Sequence, residues 1–206
     1  MPDVLLTCAG RRHYLAGDLR EALAGRGRLI GADMDATAPA LTLCDAVHIL
    51  PPVSSPDYLD QLCDVIRAEK VDMVFSVNDL ELGPLSQNRA MIEAKTGAAL
   101  YVAPSETQAI CGDKWQTFQF AQQQGIATPI TFLDTDSALS ALRDKQISLP
   151  LIVKPRWGSG SFATSRGETC DQLLTEVARC RARVSGSALA PLGGTDCVII
   201  QECISG

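Results

Sequence analysis

The chain has 206 residues, 46% of them hydrophobic and 20% charged, with 24 acids against 18 bases for a formal net charge of −6. At roughly 100–200 residues per domain this is one large domain or two small ones, too apolar for disorder and able to bury a core. The acid excess argues against nucleic acid or an anionic membrane as a partner, and no apolar run nears the roughly 20 residues that span a bilayer.

The start, Met1-Pro2-Asp3, lacks a basic leader, and Thr7 interrupts Val4-Leu5-Leu6. No signal peptide is read, and a cytoplasmic protein is expected. Residues 3–8 form an apolar strand. Tyr14, Leu15, Leu19, Ala22 and Leu23 then recur at helical spacing until Gly25 and Gly27. Strands follow at 28–33 and 46–50. Ser55-Pro56-Asp57 reads as an N-cap, a proline at the first helical position and an acid in the first turn. That helix should bury Leu59, Leu62, Cys63 and Ile66. A strand at 72–77, a helix at 82–95 and a strand at 98–103 complete an alternation that implies a parallel sheet covered on both faces.

Pro104-Ser105-Glu106 marks a boundary between a domain over 1–105 and a second part over 106–206. Charge changes there too: residues 1–106 hold 15 acids and 9 bases, whereas 107–206 hold 9 of each. Asp113-Lys114-Trp115-Gln116 has capping-box form, and its helix should bury Trp115, Phe118 and Ala121 before stopping at Gly125. A strand at 129–133 and a helix at 135–145 lead to an apolar strand at 149–155. A glycine–serine loop follows, then a helix at 169–184 that should bury Leu173, Leu174 and Val177, a small-residue stretch at 185–195 and a last strand at 197–204. Eight cysteines show no C-x-x-C pair, and with His13 and His48 the only histidines a zinc site is not expected. Several lie inside apolar runs, where a reduced cysteine serves as a small hydrophobe.

Chemistry concentrates in the second part. The strand delivers Lys154 beside Pro155, and Gly158-Ser159-Gly160-Ser161 would let backbone amides approach a bulky anion, with positive φ open to the glycines. A lysine there suits phosphate, although the lysine precedes the glycines and no P-loop pattern is present. A turn with an exposed lysine is the plain alternative. Lys114 opens a helix, where a solvated lysine would be ordinary. Val198-Ile199-Ile200-Gln201-Glu202-Cys203-Ile204 reads by itself as a core strand with an acid at its exit.

In the first part, Thr7-Cys8-Ala9-Gly10-Arg11-Arg12 follows strand one and precedes a helix, so Arg11, Arg12 and the backbone amides offer a candidate anion site. Asp33 would suit a ribose hydroxyl in a dinucleotide-binding fold. Asn78-Asp79-Leu80-Glu81 follows strand four at the carboxyl edge, where Asp79 and Glu81 are candidate substrate contacts and a helix cap is the plainer role.

Taken in order, Asp113-Lys114-Trp115, then Leu151-Ile152-Val153-Lys154-Pro155 with Trp157-Gly158-Ser159-Gly160-Ser161, then Ile200-Gln201-Glu202-Cys203-Ile204-Ser205-Gly206, resemble the first half of an ATP-grasp domain. The likeness is to carbamoyl-phosphate-synthase-like and related carboxylate–amine ligases. It implies an α/β fold: a Rossmann-like pre-ATP-grasp domain with a parallel sheet, then the first, incomplete ATP-grasp subdomain ending at the hinge strand. By that resemblance, Lys114 and Lys154 would contact ATP phosphates and Gly158, Ser159, Gly160 and Ser161 would fold over them. Gln201, Glu202, Cys203 and Ile204 would form the hinge, with Glu202 and nearby backbone reading the adenine edge and Ile204 packing on its plane. The implied enzyme activates a small-molecule carboxylate as an acyl phosphate and joins it to an amine. The family's magnesium-binding residues lie after the hinge, so magnesium is expected for the complete enzyme with no ligands for it here. The chain is therefore expected to be truncated, or completed by a second chain or in a homo-oligomer, and inactive alone. The alternatives are a non-catalytic nucleotide- or partner-binding module and a Rossmann oxidoreductase using the first domain.

Overall fold

A computed structural model describes residues 2–192 and 194–204. The chain divides into two compact units, Met1–Gln108 and Ala109–Gly206. Among the described residues no helix is long and apolar enough to cross a membrane.

The first unit runs β1 (Val4–Leu6), α1 (His13–Leu23), β2 (Leu29–Asp33), a 3-10 turn (Pro39–Leu43), β3 (Ala46–Ile49), α2 (Tyr58–Glu69), β4 (Met73–Phe75), α3 (Asp79–Thr96) and β5 (Ala99–Tyr101). The strands form an all-parallel sheet in the order β3-β2-β1-β4-β5. Every residue of the central β1 and β2 is buried, as expected where helices cover both faces. One face packs Leu5, Ile30, Val74 and Leu100 against Leu62 and Ile66 of α2 and Leu85 and Ile92 of α3. The other packs Val4, Leu6 and Leu29 against Ala16 of α1 and against Ala40 and Leu41. All eight cysteines are free, and Cys63, Cys180 and Cys197 are buried.

Several boundaries differ from expectation. Helix α2 begins at Tyr58, because Ser55 and Pro56 close a turn in which Tyr58 N–H donates to Ser55 O (3.1 Å). Asp57 becomes its N-cap without a side-chain cap bond, and Tyr58 joins the core while Leu59, expected there, is half-buried and packs against it. Helix α3 starts at Asp79 instead of 82, since the Asn78 side chain accepts from Leu80 N–H and caps a turn ahead of Gly83 and Pro84. Ser105, expected at a boundary, opens a helix α4 (Ser105–Gly112).

The second unit continues through α5 (Lys114–Gln123), β6 (Thr131–Phe132), α6 (Thr135–Arg143), β7 (Leu151–Pro155), β8 (Ser165–Gly167), α7 (Cys170–Ser185) and β9 (Val198–Glu202). Its sheet is antiparallel throughout, in the order β6-β9-β7-β8. Strand β8 was not expected: Ser165-Arg166-Gly167 carries no apolar alternation, and pairing with β7 alone defines it. Trp115 is half-buried, while Phe118 and Ala121 are buried as the spacing implies. Helix α7 packs on β7, β8 and β9 and buries Leu173, Val177, Cys180 and Val184. Leu174, expected in the core, is exposed because the buried stripe continues at Cys180 and Val184 on the Leu173 side.

Candidate functional site

Strand β7 alternates: Leu151, Val153 and Pro155 are buried, while Ile152 and Lys154 are half-buried on the other face. In its register with β9, Ile152 opposes Gln201 and Leu151 opposes Glu202. Directly opposed residues share a face, so Gln201 lies with Lys154 and Glu202 lies on the reverse. The Lys154 ammonium donates to Gln201 Oε1 (2.6 Å), and Gln201 Nε2 donates to Thr131 Oγ1 (2.9 Å). Burial pushes Lys154 below the ordinary lysine pKa.

The second lysine comes from the start of α5. Asp113 caps that helix, accepting from Trp115 N–H (2.9 Å) and Gln116 N–H (3.5 Å), so Lys114 is its first residue. Lys114 Nζ donates to Gly158 O (2.7 Å), in the loop after β7. That loop turns through positive φ at Gly158 (82°), Gly160 (65°), Ser161 (55°) and Ala163 (50°). Glycine suits the positive φ at Gly158, and a Cβ there would also crowd Leu189 Cδ1 at 3.1 Å. Lys114, Lys154, Trp157 and the backbone from Gly158 to Ser161 line one open cavity of about 350 Å³. Two ammonium groups, small side chains and a turn of backbone amides suit a polyanion.

A clamp that sequence reading missed joins the two lysines' supports. Arg156 Nε donates to Asp113 Oδ1 (2.8 Å) and Nη2 to Asp113 Oδ2 (2.7 Å), with the two side chains only 15% and 10% exposed. Lys114 N–H also donates to Arg156 O (3.0 Å), and Arg156 N–H to Cys197 O (3.0 Å). The Asp113 carboxylate hydrogen-bonded to Arg156 raises the guanidinium pKa further. The acid that caps α5 therefore also ties the helix to the strand end that launches the loop.

The hinge candidates separate. Gln201 is on the lysine face, whereas the Glu202 carboxylate accepts from Ile130 N–H (3.3 Å) and its own N–H donates to Ile130 O (2.8 Å). Cys203 is half-buried and Ile204 is 62% exposed. Ser205 and Gly206 lie outside the described residues.

In the first unit, Arg11 and Asp79 are exposed. Arg12 is engaged internally, donating through Nη1 to Cys8 O (3.1 Å) and through Nη2 to Val77 O (2.9 Å). Asp33 is 8% exposed and accepts from Gly10 N–H (2.7 Å) and Asp35 N–H (2.9 Å), so its carboxylate fastens a turn. Glu81 is fully buried and accepts from Thr7 Oγ1 (2.8 Å), Ser76 Oγ (2.5 Å) and the Tyr58 hydroxyl. A ligand in solvent does not reach it in this arrangement. Burial, with Glu81 alongside, pushes the Cys8 thiol and the Tyr58 hydroxyl far above their ordinary pKa values.

Magnesium does not fit the residues present. The cavity lining offers ammonium groups, amides and hydroxyls but no carboxylate, and divalent magnesium takes carboxylate and phosphate oxygens. Among the described residues, no group of three His, Cys, Asp or Glu side chains could hold a metal ion.

Residues 4–99 match the family model described as PylC-like, N-terminal domain. No curated protein sequence matches the chain significantly. Among solved structures, the L-amino acid ligase from Bacillus licheniformis aligns with TM-score 0.73 at 19% identity, covering 100% of this chain and 47% of that one. The biotin carboxylase domain of 2-oxoglutarate carboxylase from Hydrogenobacter thermophilus, solved with MgADP, ADP and bicarbonate, gives TM-score 0.72 at 14% identity, covering 99% and 45%. N5-carboxyaminoimidazole synthetase from Staphylococcus aureus, complexed with ADP, gives 0.68 at 10%, covering 98% and 48%. The chain thus spans less than half the length of each. These neighbours are ATP-grasp enzymes, and the chain has the fold of their N-terminal half.

Proposed function

From a chain with the fold of ATP-grasp N-terminal halves, we propose that residues 106–206 form the phosphate-binding wall of an ATP site and that residues 1–105 are the pre-ATP-grasp domain before it. The assembled enzyme would activate a carboxylate as an acyl phosphate and join it to an amine or similar nucleophile. The observation that carries this reading is the single cavity lined by Lys114, Lys154 and the positive-φ turn from Gly158 to Ser161. Phosphoryl transfer is mostly positioning and charge neutralisation, and these parts supply both. Lys154 would hold one phosphate from the strand face while the loop amides close over the others. Lys114 would exchange its bond to the Gly158 carbonyl for a phosphate oxygen, coupling loop position to occupancy. The carboxylates that hold magnesium would come from residues outside this cavity, in a following segment or another chain. Residues 1–206 alone would then bind ATP weakly and not turn it over.

Backbone amide NMR tests the reading directly. Titrating the chain with ATP, and separately with tripolyphosphate, should move the amides of Gly158, Ser159, Gly160 and Ser161 in the millimolar range. Lys154→Ala should abolish both responses. Shifts confined to the Thr7–Arg12 turn, elicited by NAD(P) and not by ATP, would instead support an oxidoreductase and overturn the proposal.

A further inference from the structure

The bonds leaving Lys154 continue past Gln201. Thr131 on β6 is 3% exposed, and its hydroxyl donates to Pro129 O (3.0 Å) while accepting from Gln201 Nε2 (2.9 Å). Gln201 Oε1 in turn accepts from the Lys154 ammonium (2.6 Å). The four groups cross three adjacent strands, because Thr131 opposes Gln201 on β9 and Gln201 lies on the lysine face of β7.

The direction of this chain of hydrogen bonds is set by its two ends. A carbonyl oxygen can only accept and an ammonium can only donate, whereas an amide and a hydroxyl between them can each do either. With Pro129 O at one end, the Thr131 proton is committed outward and its lone pairs face Gln201. The Gln201 amide must then present Nε2 to Thr131 and Oε1 to Lys154. The reversed amide would point N–H groups at an ammonium and leave the Thr131 lone pairs without a donor. Among the described residues no ion pair fixes Lys154, so a neutral amide with imposed orientation holds the ammonium instead.

We infer that Thr131, a buried residue remote in sequence, is a positioning residue for the phosphate site, acting through the Gln201 amide to aim the Lys154 ammonium. This inference rests on the phosphate reading of the cavity. It gives Gln201 a role that needs neither negative charge nor contact with a nucleobase.

The test uses the whole 206-residue chain with ¹⁵N-labelled lysine, tripolyphosphate as the probe, and three variants. Lys154→Arg assigns the Lys154 ammonium signal. In the ligand-free chain that signal should be visible through slowed exchange with water. Thr131→Val, which keeps the shape and removes the hydroxyl, should erase it, and Thr131→Ser should restore it. Tripolyphosphate affinity should fall about tenfold in Thr131→Val and stay within about twofold of the parent in Thr131→Ser. If the valine variant fails to fold, Thr131→Ala reads the same loss without the added methyl. An unchanged Lys154 signal in the folded hydroxyl-less variant overturns the inference. So does a lost signal with unchanged affinity, which would make the bonds structural only. A parent chain that ignores tripolyphosphate overturns the phosphate reading itself, and is distinguished from those outcomes because no variant enters that measurement.

Discussion

Asp113 shows how one side chain can serve two purposes. It caps α5, and it accepts two hydrogen bonds from Arg156 in a pair that is mostly shielded from water. Asparagine can still cap, but it cannot match the charge of the guanidinium. Asp113→Asn should therefore cost about 2 kcal/mol, because charge-assisted bonds contribute that much and Arg156 is left shielded without its counter-ion. Thr169→Ala removes only a cap, the bond from Gln172 N–H to Thr169 Oγ1 (3.2 Å), and should cost about 1 kcal/mol. Urea unfolding of the two variants gives the comparison; a larger loss for Thr169→Ala contradicts the clamp. Local spacing singled out Lys154 and the glycine–serine loop as candidates. Lys114 reads by itself as an ordinary helix-opening lysine and joined them only through the order of the three motifs; that both lysines and the loop line one cavity is seen only in the fold. Arg156 was not legible, since its partner lies 43 residues away and an arginine after a strand has no local signature. Gln201 and Glu202 were legible as a segment only. Which of the two faces the lysine depends on the β7–β9 register, and the pairing partner of a strand is not written in the strand itself.

At the scale of elements, the parallel sheet followed from apolar runs spaced by amphipathic helices, and each of its strands falls within the expected run while helix ends differ. What escaped were features defined by pairing or by a single cap. Strand β8 exists because β7 supplies a partner, and α3 reaches back to Asp79 because one asparagine satisfies a free N–H. The 3-10 turn over Pro39–Leu43 depends on a glycine in the facing strand. A Cβ on Gly31 would sit 2.6 Å from Cys44 Sγ and 2.8 Å from Leu41 Cδ2. Gly31→Ala must displace the Cys44 and Leu41 side chains from β2, and forced overpacking of this kind costs about 1–3 kcal/mol. Denaturant unfolding should show that loss, while Gly83→Ala, with nothing within 4 Å of the added carbon, should show none. Equal effects would contradict the packing described for that face.

For the molecule as a whole, two compact units with different sheets carry different chemistry. In the first, Asp33, Arg12 and Glu81 are engaged by internal hydrogen bonds, so the polar residues at the strand ends hold the fold together. In the second, Lys114 and Lys154 are also hydrogen-bonded within the fold, but both line one open cavity beside a loop that turns through positive φ. That contrast directs the functional reading to the second unit. Its most direct test is a crystal structure of the chain grown with millimolar ATP. The account predicts terminal phosphate oxygens within hydrogen-bond reach of both Lys114 Nζ and Lys154 Nζ, under the amides of Gly158 to Ser161. Triphosphate bound at the Thr7–Arg12 turn, with the two ammonium groups still on Gly158 O and Gln201 Oε1, would contradict it.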